Sequence, residues 1–324
     1  MYTQGSSTDA LDLITDMKDF AVASGWTLND FSTEGNGKRL HINKGSMYFN
    51  FRYYQNEAPS FGGGTIENGI FCNGSTGYNG ANPWHTQPGA PTVPSVANGG
   101  INQLNGAIPS WHFFSFNNAS WEGLYFIVEN PAGIYQWILC GSLDKTKYGT
   151  STGGMFSTGL LKSNQGNESA SPVGFFGNSP RGWSFNPRGF LYIDNGSGAK
   201  WACSFEGGGV LATPRCFDSI FRSSSFLYDQ PNSFNSLPIL VPISVNVFVD
   251  GNNFFTNTPW SPVGELPYVY WVNIKTLNPA TTFTIASDQY KAFPFLKKTT
   301  VGQQNAGNPR LGGTEYMGFA IKTN

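Results

Sequence analysis

The first apolar periodicity in the chain is helical. Ala10, Leu13, Ile14, Met17, Phe20 and Ala21 recur at three-and-four spacing, which places them on one face of a helix. Ser7 or Thr8 stands where an N-cap is needed, Asp9 and Asp12 suit the positive end of the helix dipole, and Gly25 supplies the stop. After Gly25 the period becomes that of strands. Residues 27–31, 39–43 and 46–54 read as strands joined by turn signals at Glu34-Gly35-Asn36-Gly37 and Asn43-Lys44-Gly45, which predicts a helix followed by a β-meander over residues 1–57.

Residues 58–110 break this pattern. FGGGTIENG, STGYNGANPW and QPGAPTVPSVANGG carry little periodic apolar character and predict a loop-rich insertion. So long a loop is uncommon in a compact domain unless it is functional or touches a partner. Strand patterns return at 111–116, 123–129 and 134–143. The near-continuous run Leu124-Tyr125-Phe126-Ile127-Val128 predicts a strand covered on both faces. A second Gly/Ser/Asn-rich stretch spans 148–181, followed by strands at 189–193 and 200–205 about the hairpin signal Asp194-Asn195-Gly196. Further strands are predicted at 239–249, 268–274, 282–285, 289–295 and 316–322, with turns at Asp250-Gly251-Asn252 and Leu277-Asn278-Pro279.

No fixed-period repeat is visible, which leaves solenoids and propellers unsupported. The fold class expected is mainly β, α+β at the N-terminus, with antiparallel sheets in a sandwich or barrel-like body, one N-terminal helix and long Gly/Asn/Pro-rich loops. The expected organisation is a helix-plus-meander module at 1–57, the insertion at 58–110 and a β-rich body at 111–324, the body either separate from 1–57 or integrated with it.

Charge narrows the function. The 324 residues hold 19 Lys+Arg against 20 Asp+Glu, a formal net charge of -1. That balance argues against a protein whose affinity rests on neutralising phosphates or an anionic membrane surface. Charged residues make up only 12% of the chain, about half the roughly 25% of an ordinary soluble domain. With little charge repulsion between copies, association is favoured. Aromatic residues reach 15%, an apolar content that disordered chains lack. The apolar run 237–249 is broken by Pro238, Pro242, Ser244 and Asn246, so no transmembrane span is expected. The opening MYTQGSSTDALDL has no basic segment followed by an apolar one and is not read as a signal peptide. Cys72, Cys140, Cys203 and Cys216 form no C-x-x-C pair, so zinc is unsupported and free thiols in a reducing compartment are expected.

Catalytic motifs are weak. Gly149-Thr150-Ser151-Thr152-Gly153 matches G-x-S-x-G, but a nucleophile elbow needs a strand before the Ser and a helix after it, and both flanks read as loop. His41, His85 and His112 show no metal spacing. His41 is expected on a partly exposed strand face, His112 in a hydrogen bond within a β core, and His85 in a loop that could reach an interface. Asp9, Asp12, Asp16 and Asp19 read as a solvated helix face. Glu122, Glu129 and Asp144 sit among aromatics as glycosidase acids do, with no separation legible. Asp250-Gly251-Asn252-Asn253 lacks spaced calcium ligands, and Phe61-Gly62-Gly63-Gly64-Thr65 lacks the lysine of a phosphate loop. Trp111, Phe113, Phe114, Phe116, Trp121, Tyr125 and Phe126 read as core and interface packing, with sugar stacking as the alternative. Catalytic, cofactor and metal residues are therefore assigned to none, and the sequons at Asn73, Asn118, Asn167 and Asn195 carry no weight without a secretory route.

Several segments together resemble a known group. They are Gly25-Trp26-Thr27 after the short helix, Gly37-Lys38-Arg39-Leu40-His41-Ile42-Asn43-Lys44-Gly45, and Met47-Tyr48-Phe49-Asn50-Phe51-Arg52. To these add Ile134-Tyr135-Gln136-Trp137, Gly141-Ser142-Leu143-Asp144-Lys145, Gly153-Gly154-Met155-Phe156, Asn273-Ile274, Asn278-Pro279, Tyr290-Lys291-Ala292-Phe293-Pro294-Phe295 and Gly318-Phe319-Ala320-Ile321-Lys322. Spread over most of the chain, they resemble virion structural proteins of tailed bacteriophages and prophages, with Trp137 departing from the Tyr-Gln-His of that group.

The resemblance implies a non-enzymatic virion component of the neck, head-to-tail junction or tail completion region, assembled in the bacterial host cytoplasm. Its partners would be portal or connector, tail terminator or tail tube proteins and further copies of itself in a ring. Residues 58–110 and 148–188 would serve as contact arms. No membrane, no specific nucleic-acid binding and no cofactor are implied. The alternative is a baseplate or receptor-binding protein that stacks host glycans on aromatic side chains, and a third class is an enzyme acting on polysaccharide or peptidoglycan through Glu122, Glu129 or Asp144.

Overall fold

The computed structural model describes residues 1–58, 66–91, 99–145, 153–162, 175–176, 185–194, 199–203, 215–218, 238–248, 261–294 and 317–324. Among them are one helix, α1 (Ala10–Ala23), and eighteen strands. In the first half these are β1 (Tyr2–Ser7), β2 (Thr27–Glu34), β3 (Gly37–Lys44), β4 (Met47–Glu57), β5 (Ile66–Ser75), β6 (Gly99–Asn102), β7 (Ile108–Asn117), β8 (Glu122–Glu129) and β9 (Tyr135–Ser142). In the second half they are β10 (Gly153–Lys162), β11 (Phe185–Asp194), β12 (Ala199–Cys203), β13 (Arg215–Asp218), β14 (Val241–Phe248), β15 (Ser261–Asn273), β16 (Thr282–Ile285), β17 (Asp288–Pro294) and β18 (Met317–Lys322). The protein is mainly β, with antiparallel sheets and an N-terminal helix.

Strands β2 to β6 form a five-stranded antiparallel sheet in sequence order. The other thirteen form a second sheet, β1-β7-β8-β9-β10-β11-β12-β13-β14-β15-β18-β17-β16, antiparallel except at the single parallel pair Cys203 and Arg215. Two strands of the five-stranded sheet correct the reading of 58–110 as loop: β5 and β6 lie there and extend the meander. Strand β10 likewise falls in the Gly/Ser/Asn-rich stretch 148–181, and β1 precedes the helix. All four strands are rich in Gly, Ser, Asn and Gln, so none shows the apolar alternation by which a half-buried strand announces itself.

Side-chain alternation divides the interior into layers. From β8, Leu124, Phe126 and Val128 enter one core with α1 and β3 to β6, while Tyr125 and Ile127 enter a second with β14, β15, β17 and β18. Strand β9 repeats this: Ile138 and Cys140 face the first core, Tyr135, Trp137 and Leu139 the second. The middle strands are thus covered on both faces, as the apolar run of β8 predicts, and their inner positions are mostly apolar because water reaches neither side. The long sheet folds back so that Phe293 of β17 meets His112 and Phe114 of β7, with ring centroids at 5.1 and 6.1 Å.

Helix α1 buries its predicted stripe, Ala10, Leu13, Ile14, Met17, Phe20 and Ala21. Its N-cap is Asp9 and not Ser7 or Thr8. The Asp9 carboxylate accepts from the Asp12 N–H at 2.8 Å, and the Asp12 carboxylate accepts from the Thr8 N–H at 2.8 Å, a reciprocal cap. Gly25 ends the helix at φ +83°, where a side chain is disfavoured, and Trp26 N–H closes the turn onto the Ala21 carbonyl at 3.0 Å.

Candidate functional site

Polar chemistry gathers on the outer face of the five-stranded sheet. Because Leu40, Ile42, Phe49 and Phe51 point into the first core, strand alternation turns Arg39, His41, Asn50 and Arg52 the other way. Water reaches only Arg39 among them, and that one in part. Residues 76–91 lie over this face, and His41, Asn50, Arg52, Asn73 and Ser75 are each 1% exposed or less. The reading of His41 as a partly exposed strand residue is corrected by that covering segment, which no strand pattern reveals.

The buried groups are cross-linked. His41 Nδ1 lies 2.7 Å from Asn50 Oδ1, and Asn50 Nδ2 donates to Asn73 Oδ1 at 3.1 Å and to Ser75 Oγ at 2.9 Å. Ser75 Oγ donates in turn to the Gly77 carbonyl at 2.9 Å. Burial lowers the His41 pKa from its ordinary value and keeps the ring neutral. Alongside runs a chain of charges. Arg39 pairs with Asp30 at 2.6 Å, Arg52 pairs with Glu57 at 2.7 Å, and Glu34 stands between the two arginines at 3.8 and 3.7 Å. Burial raises the Glu34 pKa, with both arginines acting against it.

Two of these groups hold the covering segment. Arg39 donates to the Gly80 and Asn82 carbonyls at 3.1 and 3.4 Å, and Trp84, fully buried, donates from Nε1 to Tyr54 Oη at 2.8 Å. The segment also folds on itself through Gln87. Its Oε1 accepts from the Asn79 N–H at 2.7 Å, and its Nε2 donates to the Asn79, Asn82 and Pro83 carbonyls at 3.1–3.2 Å. Asn79, Gly80, Ala81, Pro83, Thr86, Pro88 and Gly89 are left exposed, so a preformed surface without a charged side chain crowns the sheet.

A second polar knot lies where the long sheet folds back. Tyr2 Oη approaches His112 Nδ1 at 3.0 Å and donates to Gln4 Oε1 at 2.6 Å, and Lys291 Nζ donates to the same Oε1 at 2.9 Å. Burial, aided by the Lys291 charge, lowers the His112 pKa to about 3. The hydrogen-bonded core histidine expected at 112 is what the fold contains.

The remaining candidates are scattered. Glu122 and Glu129 stand at opposite ends of β8, roughly 23 Å apart at about 3.3 Å per residue, far beyond the spacing of a glycosidase pair. Glu122 meets Lys44 at 3.3 Å, and Glu129 accepts from Ser110 and Tyr135 at 2.8 and 3.2 Å. Asp144 pairs through its backbone with Glu265. Asp16 does not belong to a solvated face: it accepts from Ser7 at 2.6 Å. The aromatic series divides between the two cores, Phe113 and Phe126 in one and Phe114, Phe116, Trp121 and Tyr125 in the other. Ser151, Phe61 to Thr65, Asp250 to Asn253, Asn167, Asn195 and the side chain of Cys203 lie outside the described residues. Gly153 opens a strand, not the helix a nucleophile elbow requires. Asn73 is buried in the polar network, and Asn118 is exposed.

Asp30, Glu34, Arg39, Asn50, Arg52, Glu57 and Gln87 are not legible in sequence as a site. The signal for those on β2 to β4 is polar alternation, which equally describes a solvent-facing sheet, and Gln87 in the covering segment carries none. No family model matches the chain, and no curated protein matches it.

Proposed function

We propose that this chain is a non-enzymatic structural part of a tailed-phage virion, at the neck between head and tail, packing against portal, connector or tail proteins and against its own copies. The observation that carries this reading is the use made of the polar side chains on the outer face of β2 to β6. They are consumed inside the protein, where they fix residues 76–91 as a rigid, uncharged surface. A surface ordered in advance loses little conformational entropy on docking, and one without charged side chains has no ion to desolvate. Sparse charge serves assembly in the same way.

The test is gold labelling of purified particles with an antibody to this chain, viewed by electron microscopy. Label at the head-to-tail junction is expected. Label at the distal tail would transfer the protein to a baseplate or receptor-binding role. Particles with no label, and no such chain in their mass spectrum, would refute the virion reading.

A further inference from the structure

The two layers that share the first core approach closely where β6 crosses β10. A Cβ at Gly159 of β10 would collide with the backbone of Gly99 and Gly100 in β6, so the close crossing requires glycine there. Two cysteines flank it. Cys72 of β5 is paired across the ladder with Gly99, and Cys140 of β9 is paired with Ser157, two residues before Gly159. Both side chains enter the same core from opposite layers, Cys72 2% and Cys140 0% exposed, and burial together with the neighbouring Cys140 thiol pushes the Cys72 thiol pKa well up. Each sulfur also has a backbone carbonyl within reach, Asn73 at 3.8 Å for Cys72 and Leu124 at 3.6 Å for Cys140. Both cysteines are free.

We infer that Cys72 and Cys140 are a modification site: a dithiol that closes to a disulfide joining the two layers when the protein meets a small-molecule disulfide. The step is an ordinary double exchange. One cysteine sulfur attacks the reagent, forming a mixed disulfide and releasing one small thiol; the second cysteine sulfur then displaces the other small thiol and forms the Cys72–Cys140 bond. Two protons and two electrons leave the protein with the two released thiols. Neither sulfur faces water, so the reagent gains access only when the layers part locally, and the rate follows that opening. In a reducing compartment the pair stays open, and on transfer to an oxidising medium it becomes a covalent staple across a loop of about 70 residues. Cys216 takes no part: it faces the other core, against the Ala202 and Gly189 carbonyls.

The inference stands apart from the virion reading and is tested on the purified full-length chain. Reduced protein is incubated with excess oxidised glutathione, with and without urea below the unfolding transition. Free thiols are then alkylated and the chain is digested with pepsin, because no Lys or Arg separates the two cysteines for trypsin. The expected result is a Cys72–Cys140 cross-linked peptide that forms faster in urea, a melting midpoint raised by roughly 6 °C, and full reversal by dithiothreitol. Cys72→Ala and Cys140→Ala should each abolish the rise; if either variant fails to fold, the wild-type peptide map still decides. A map showing only glutathione adducts, a cross-link to Cys203 or Cys216, no cross-link even in urea, or an oxidised form that melts lower than the reduced one would overturn the assignment.

Discussion

Replacing Gln136 by Leu should detach the five-stranded sheet from the middle layer at its β6 edge. The Gln136 side chain behaves there like a strand residue: Oε1 accepts from the Asn102 N–H at 2.8 Å and Nε2 donates to the Asn102 carbonyl at 2.8 Å, all buried. Leucine keeps much of the volume and strips the backbone of Asn102 of both bonds. A buried polar group deprived of its partner costs about 1–3 kcal/mol, so two cost about 4 kcal/mol together. At about 2.1 cal/mol/K per residue, the 324 residues have an unfolding entropy of about 0.7 kcal/mol/K, and the midpoint should fall by about 6 °C. Differential scanning calorimetry at pH 7 measures it. Gln136→Glu refines the reasoning, because a carboxylate accepts from the N–H but cannot donate to the carbonyl. Its midpoint should lie below wild type at pH 8 and recover toward it at pH 5. A Gln136→Leu midpoint within 1 °C of wild type would refute the account of that edge.

Acid should destabilise the fold through His112. Its folded pKa of about 3 lies below the unfolded value near 6.5, so its contribution is complete above pH 6.5 and is lost as the pH falls toward 3. By pH 4 the loss is on the order of 3 kcal/mol, and His112→Gln should show a flatter dependence of midpoint on pH between 7 and 4. Gly159→Ala sets a Cβ against the β6 backbone and should cost more than Gln136→Leu, read as a lower midpoint or loss of soluble protein. Gln87→Ala should leave the global midpoint within about 2 °C yet speed proteolysis within 76–91, because it removes bonds internal to that segment. Equal proteolysis of variant and wild type would show that Gln87 does not order the loop.

The strands legible in advance are those with an apolar pattern: β2 to β4, β7 to β9, β11, β12 and β14 to β18 are all foreshadowed by alternating or continuous apolar runs. Helix α1 shows its whole buried stripe, from Ala10 to Ala21, because a 3.6-residue period survives in any tertiary setting. Strands β5, β6 and β10 escape notice because their Gly, Ser and Asn residues serve close backbone approach and polar burial, needs that arise only between layers. Gly159 against Gly99 and Gly100 is such a case.

The same division governs the candidate site. His41, Arg39, Asn50 and Arg52 alternate with apolar neighbours and look solvated, since alternation says which residues share a face and nothing of what covers it. The cover, residues 76–91, is placed by the Trp84 and Arg39 contacts, each spanning tens of residues along the chain, while Gln87 only ties the segment to itself. Local pattern by itself determined the helix, the β character and the doubly covered run of β8, because these depend on neighbours a few positions away. Which polar groups are buried, that Gln136 completes a distant strand, and that Cys72 meets Cys140 were decided by tertiary structure alone, because each depends on the register between layers that no local period encodes.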